Sequence, residues 1–150
     1  MRTLHTLHTR SLLRPILLSL FLFPLTLSCG GSESDQPLDV QVDQLIEENR
    51  YEEALGLVEQ YDGESGDPDL LREKIHLNYG LNLMTTFDES EMRTRMNEAM
   101  RQFIEVIRIN PENRMAREQI NQILGVYDTI PDREPEPDVT ESLNELGWNR

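Results

Sequence analysis

Met92, Met96, Ala99, Phe103 and Val106 recur at steps of four, three, four and three. Met100, Ile104 and Ile107 form a second apolar stripe beside them. A strand alternates with period two and would scatter these side chains over both faces. A helix gathers them on one broad face, and a face that wide predicts packing against two neighbours. Glu89–Arg93 and Glu91–Arg95 stand at i, i+4 in the favourable orientation, and Asp88 with Glu91 has the spacing of a capping pair. The spacing therefore predicts a helix over 89–109. The methionines at 84, 92, 96 and 100 fit this core as adaptable fillers rather than as soft-metal ligands.

The same period runs through much of the chain. Leu38, Val42, Leu45 and Ile46 predict a helix over 38–48, and Ala54, Leu55 and Val58 another over 51–61. Asp67-Pro68 supplies an N-cap followed by proline at the first helical position, which opens a helix over 68–86. Asn110-Pro111 offers the same device and predicts a last helix over 111–126, carrying Ala116, Ile120, Ile123 and Tyr127. No stretch alternates as a strand does, so the expected fold class is all-α, with about five helices.

Two of these segments look alike. In NRYEEALGLVEQY and NEAMRQFIEVIRINPEN, a small alanine is followed four residues later by a bulky residue, Ala54 to Val58 and Ala99 to Phe103. Pro111 stands eight residues beyond Phe103. His76, Tyr79, Gly80 and Leu83, and then Arg117, Ile120, Asn121 and Leu124, keep the spacing W-x2-L-G-x2-Y. This resembles the tetratricopeptide repeat. The chain departs from that family in lacking the tryptophan and in the 45 residues from Ala54 to Ala99, against a repeat of about 34. The resemblance implies a short array of antiparallel helical hairpins over 38–127, and a role in binding a protein or peptide. A generic antiparallel bundle is the alternative.

The first 28 residues are of another kind. Arg2, Arg10 and Arg14 precede ILLSLFLFPLTL, twelve almost wholly apolar positions, with no acid among them. A basic segment, a short apolar run and a small residue describe a secretory signal peptide. Twelve helical residues rise only about 18 Å, short of a hydrocarbon core of about 30 Å. Leu25-Thr26-Leu27-Ser28-Cys29 then resembles the lipobox of bacterial lipoproteins. That resemblance implies cleavage between Ser28 and Cys29 and acyl chains such as palmitate on Cys29, the chain's single cysteine. Gly30 follows where some lipoproteins carry an aspartate for inner-membrane retention, so the resemblance favours the outer membrane. Residues 29–37, rich in Gly and Ser, predict a disordered, flexible tether.

Without residues 1–28 the chain keeps eleven basic and twenty-eight acidic residues, a net charge of −17. Such a charge opposes binding to nucleic acid. His76 is the sole remaining histidine. Neither GxSxG nor HExxH is present, nor a glycine-rich phosphate loop. Asp62, Glu64 and Glu73 fall at positions 1, 3 and 12 of a calcium-loop frame, but position 6 is Asp67 where glycine is needed. An inter-helix turn accounts for the same residues. No catalytic residue, metal or cofactor is expected.

Candidate contact residues follow from the repeat resemblance, whose partners lie against the first helix of each repeat. Asn78 and Asn82, and Arg117 and Asn121, each share a helix face at i, i+4. Residues 128–150 form an acidic, proline-rich tail. Within it Val139, Leu143 and Leu146 make a short amphipathic stripe, Asp138 and Glu141 have capping spacing, and Gly147 fits a helix stop closed by Trp148, the only tryptophan. That segment either caps the array, stays disordered or is offered to a partner. The expectation is a membrane-anchored envelope adaptor, held by lipidated Cys29 and binding another envelope protein or peptide. The alternatives are a structural subunit with no groove of its own and a carboxylate-dependent envelope enzyme. The oligomeric state stays open.

Overall fold

The computed structural model describes residues 36–63, 66–86, 90–131 and 133–148. They form an all-α protein of six helices, with no strand among them: α1 Leu38–Glu47, α2 Tyr51–Glu59, α3 Pro68–Thr85, α4 Met92–Ile109, α5 Arg114–Asp128 and α6 Pro137–Glu145. No helix among the described residues is long and apolar enough to cross a membrane. The expected leader, the expected cleavage site at Ser28 and Cys29, and nearly all of the expected tether lie outside the described residues.

The helices pack largely in chain order. α1 folds back on α2 through a three-residue turn, in which Asn49 takes a left-handed conformation (φ 60°). α2 and α1 both rest on α3, α3 pairs along its length with α4, and α4 in turn carries α5 and α6. Two cores result. Val42, Ala54, Val58 and Ile75 centre the first; Ala99, Phe103, Ile120 and Ile123 centre the second. Tyr79 joins them, packing against both, and its ring stacks on Tyr51 with centroids 4.8 Å apart.

The alanine and bulky positions of both similar segments point inward. Ala54 and Ala99 are wholly buried, as are Val58 and Phe103. Gly80 of α3 faces Phe103 of α4 so closely that a Cβ added there would sit 2.5 Å from the ring. The glycine is thus required by contact distance, not by backbone angle. Asp67 caps α3 as its sequence predicts: the carboxylate accepts from the N–H groups of Asp69 (3.1 Å) and Leu70 (3.4 Å), with Pro68 at the first helical position.

The starts of α4, α5 and α6 differ from expectation, and α2 ends two residues early at Glu59 while α5 runs two residues further, to Asp128. α5 begins at Arg114, not at Pro111, because Asn113 rather than Asn110 is its cap and accepts from the Ala116 N–H at 2.9 Å. Residues 110–113 form a turn held by the Asn113 N–H on the Asn110 carbonyl (3.0 Å). Glu73 of α3 fixes that turn by accepting from both Asn110 Nδ2 (2.8 Å) and Asn113 Nδ2 (2.7 Å). α4 begins at Met92, three residues late; Asp88 and Glu89 lie outside the described residues. Glu91 makes no side-chain cap and instead pairs with Arg95 at 3.2 Å. The amphipathic tail is a sixth helix docked on α4. Its cap residue is Glu136 with Pro137 at the first position, so Asp138 is not the cap expected from its spacing.

Candidate functional site

Trp148 brings three of the expected contact residues together. After α6 the chain turns at Gly147 (φ 94°), whose N–H donates to the Asn144 carbonyl (3.1 Å) while that of Trp148 donates to Leu143 (2.9 Å). This is a complete Schellman stop, which needs a left-handed residue and so favours glycine. It throws the indole back onto α5. Trp148 Nε1 donates to Asn121 Oδ1 at 2.9 Å, and the Arg117 guanidinium lies 5.1 Å from the ring centroid, a cation–π contact. Arg117 Nε also donates to the Pro111 carbonyl (2.8 Å), which holds the guanidinium over the ring. The corner is half open, with Asn121 exposed.

The α3 pair is separate. Asn78 Nδ2 donates to the Lys74 carbonyl of its own helix (2.8 Å). Asn82 Nδ2 donates to Asn49 Oδ1 (2.8 Å), which also accepts from the Tyr51 hydroxyl (3.0 Å). Asn82 thus braces α3 against the α1–α2 turn, whereas the Asn78 amide bonds back onto its own helix. Among the described residues no hydrogen bond links them to Arg117 or Asn121. His76 is half-buried at the α3–α4 seam, its Nδ1 donating to Gln102 Oε1 at 2.8 Å, and it works there as a packing residue.

Sequence spacing missed the residues that dock α6. Asn97 is the only fully buried polar side chain among the described residues. Its Nδ2 donates to the Tyr127 hydroxyl (3.0 Å) and to the Arg93 carbonyl (2.9 Å), and its Oδ1 accepts from the Glu136 N–H (2.8 Å). One amide thereby joins α4, α5 and the start of α6. The clue was present: Asn97 stands three before Met100 on the second apolar stripe, a polar residue at a core position. Burial pushes the Tyr127 hydroxyl above its usual range, against the opposing pull of Asn97 and of the nearby Arg93 charge.

On the outer edge, Arg101 collects three carboxylates. Its Nε donates to Asp138 Oδ2 (2.8 Å), Nη2 to Glu136 Oε2 (2.5 Å) and Nη1 to Glu98 Oε2 (3.2 Å). The Arg101 hydrogen bond holds the Asp138 carboxyl below the usual aspartate range. A carboxyl depressed in the folded state stabilises it above its unfolded value, about 3.9, and that support is lost as pH falls through the lower folded value. Acid should therefore loosen α6. Trp148 reports on this directly: acrylamide quenching is expected to rise as pH drops below the ordinary aspartate range, whereas Arg101→Ala should already show raised quenching at pH 7. Equal quenching of the two proteins at pH 7 would contradict the latch.

Among the described residues, no group of three or more His, Cys, Asp or Glu side chains is placed to hold a metal ion. Compared with known proteins, the chain matches no family model, no curated protein and no solved structure.

Proposed function

We propose that this chain is a cell-envelope lipoprotein, anchored outside the cytoplasm through acylated Cys29, whose tetratricopeptide-like hairpins bind another envelope protein or peptide. The observation that carries the reading is the run from Leu25 to Cys29, which ends a basic and apolar leader and precedes a Gly/Ser-rich leash. The repeat part draws support from packing. Ala54 and Ala99 are buried where two helices approach, and Phe103 fills the space against Gly80. The Arg117–Asn121–Trp148 corner is the surface we assign to the partner, since it offers a cation, an amide and an aromatic face together.

The mechanism is recruitment. A tether raises the local concentration at one membrane face, and the helical surface supplies selectivity. Outer-membrane placement follows from Gly30 after Cys29, on the lipoprotein resemblance. No reaction is assigned.

Crosslinking in intact cells followed by capture tests the proposal, comparing wild type with Cys29→Ser. The expected result is a defined set of envelope proteins recovered with wild type and depleted with the variant. Recovery of the same proteins at equal yield from both would make the tether dispensable and end the recruitment mechanism.

A further inference from the structure

α6 is attached to the rest of the protein much as a bound peptide would be. It has nine residues, too few to persist as a helix without a surface to lie on. Its buried residues, Val139 and Leu143, join the core to which Ile104 and Ile107 of α4 belong. Beside this apolar line stand two arginines of α4. Arg101 takes Glu136 and Asp138. Arg108, two turns further along, reaches Ser142 Oγ (3.2 Å) and Glu145 (3.8 Å). The side chains of these ion pairs are 34–64% exposed, so the pairs set the register of the helix more than they secure it.

The seam is not filled. A cleft of about 250 Å³ remains between α4 and α6, lined by Arg101, Ile104 and Arg108 on one side and by Asp138, Val139 and Ser142 on the other. Close packing supplies the last increments of stability in a core, and α6 lacks it along this edge. Its departure breaks no other helix, because α5 ends at Asp128 and α6 starts at Pro137. Glu98 and Glu105 of α4 pair with Arg101 (3.2 Å) and Arg108 (2.5 Å) and hold both side chains in place whether or not α6 is present.

We infer that α6 is a displaceable strap over a helix-binding groove on α4, and that the groove's partner is an acidic amphipathic helix of another protein. An amphipathic helix laid in an apolar groove is a recurring recognition mode, and α6 shows what this groove accepts. Its apolar residues stand four apart, and its acids meet Arg101 and Arg108. Asn97 adds a requirement. Its Oδ1 accepts the Glu136 N–H at the start of α6, so an incoming helix must begin there and present a main-chain N–H, or a buried acceptor is left unmade. Displacement carries Trp148 away from Arg117 and Asn121. The groove and the corner therefore cannot be presented at once, and ligands of the two surfaces oppose each other. The groove rests on neither the lipid anchor nor the repeat resemblance; only this opposition rests on the corner's assignment to a partner.

The test is fluorescence anisotropy with the full chain and a labelled synthetic peptide of residues 134–148 carrying Trp148→Phe. A strap that covers the groove lowers the apparent affinity by the fraction of time it is open, so a chain with Val139→Asp and Leu143→Asp should bind the peptide at least about 10-fold more tightly than wild type. Adding Arg101→Glu and Arg108→Glu to that chain should weaken binding by about 10-fold or more, through repulsion of the acidic helix. The unlabelled peptide, which has no tryptophan, should raise acrylamide quenching of Trp148 in the wild-type chain as it lifts the strap. This last arm decides even if the double variant fails to fold. Unchanged quenching of wild type, equal binding to wild type and a folded double variant, or equal binding of a scrambled peptide would each overturn the inference. A concentration-dependent dimer of wild type that Val139→Asp with Leu143→Asp abolishes would overturn it too, since the groove would then take α6 from a second copy.

Discussion

Phe103→Ala is expected to destabilise the fold by about 3–5 kcal/mol, the range for truncating a buried phenylalanine. Small domains hold only about 5–15 kcal/mol in all, so this is a large fraction. The ring is wholly buried and occupies the closest approach between α3 and α4, against the bare backbone of Gly80. Glycine leaves no side chain to swing into the void, so the cavity would persist. In urea, the midpoint should fall with little change in slope. A coupled variant separates packing from other causes. Gly80→Ala alone would drive a methyl into the ring and destabilise, even though alanine is the better helix former. On a Phe103→Leu background the same alanine should be tolerated better, giving a positive coupling between the two sites. A loss below about 1 kcal/mol for Phe103→Ala, outside the range for buried phenylalanines, would show that the α3–α4 seam is not the stabilising centre described here.

Cys29→Ser should release the protein from membranes completely. Each buried methylene contributes about 0.8 kcal/mol; one chain binds only marginally, whereas two chains give a stable anchor. Among the described residues nothing compensates. The acidic remainder repels anionic headgroups, and no described helix is long and apolar enough to span. Fractionation of intact cells should therefore find wild type in the membrane pellet and the variant outside it. Since serine differs from cysteine by a single atom, a shift in partition cannot be assigned to altered packing in the helical part.

The helices were legible because each carries a private apolar stripe. The 4-3-4-3 steps of α4 are visible without a partner, and so is the Asp67-Pro68 opening of α3. Where α5 begins was not legible. Asn110 and Asn113 are equally good caps, and the choice falls to Glu73, which grips both amides from 37 and 40 residues away. The tail was half legible. Gly147 and Trp148 mark a helix stop in sequence, but the docking of α6 depends on Arg101, an ordinary surface residue of α4 until Glu136 and Asp138 arrive from 35 and 37 residues on. Asn97 could have been singled out as a polar residue on a core stripe.

Of the expected contact residues, Asn82 braces α3 against the α1–α2 turn, Asn78 bonds within its own helix, and Arg117, Asn121 and Trp148 form one corner. The difference is set by what each helix packs against. α3 is covered by α1, α2 and α4, so its polar face meets the α1–α2 turn. α5 has a freer side, which the indole reaches only because the Schellman turn reverses the chain.

The account stands or falls on the state of residue 29, and the mass of the native protein purified from its own membranes reads that state. The mature chain is expected to begin at Cys29, with two or three acyl chains on its first residue. A free sulfur at position 29, or a chain that begins at any other residue, would contradict it.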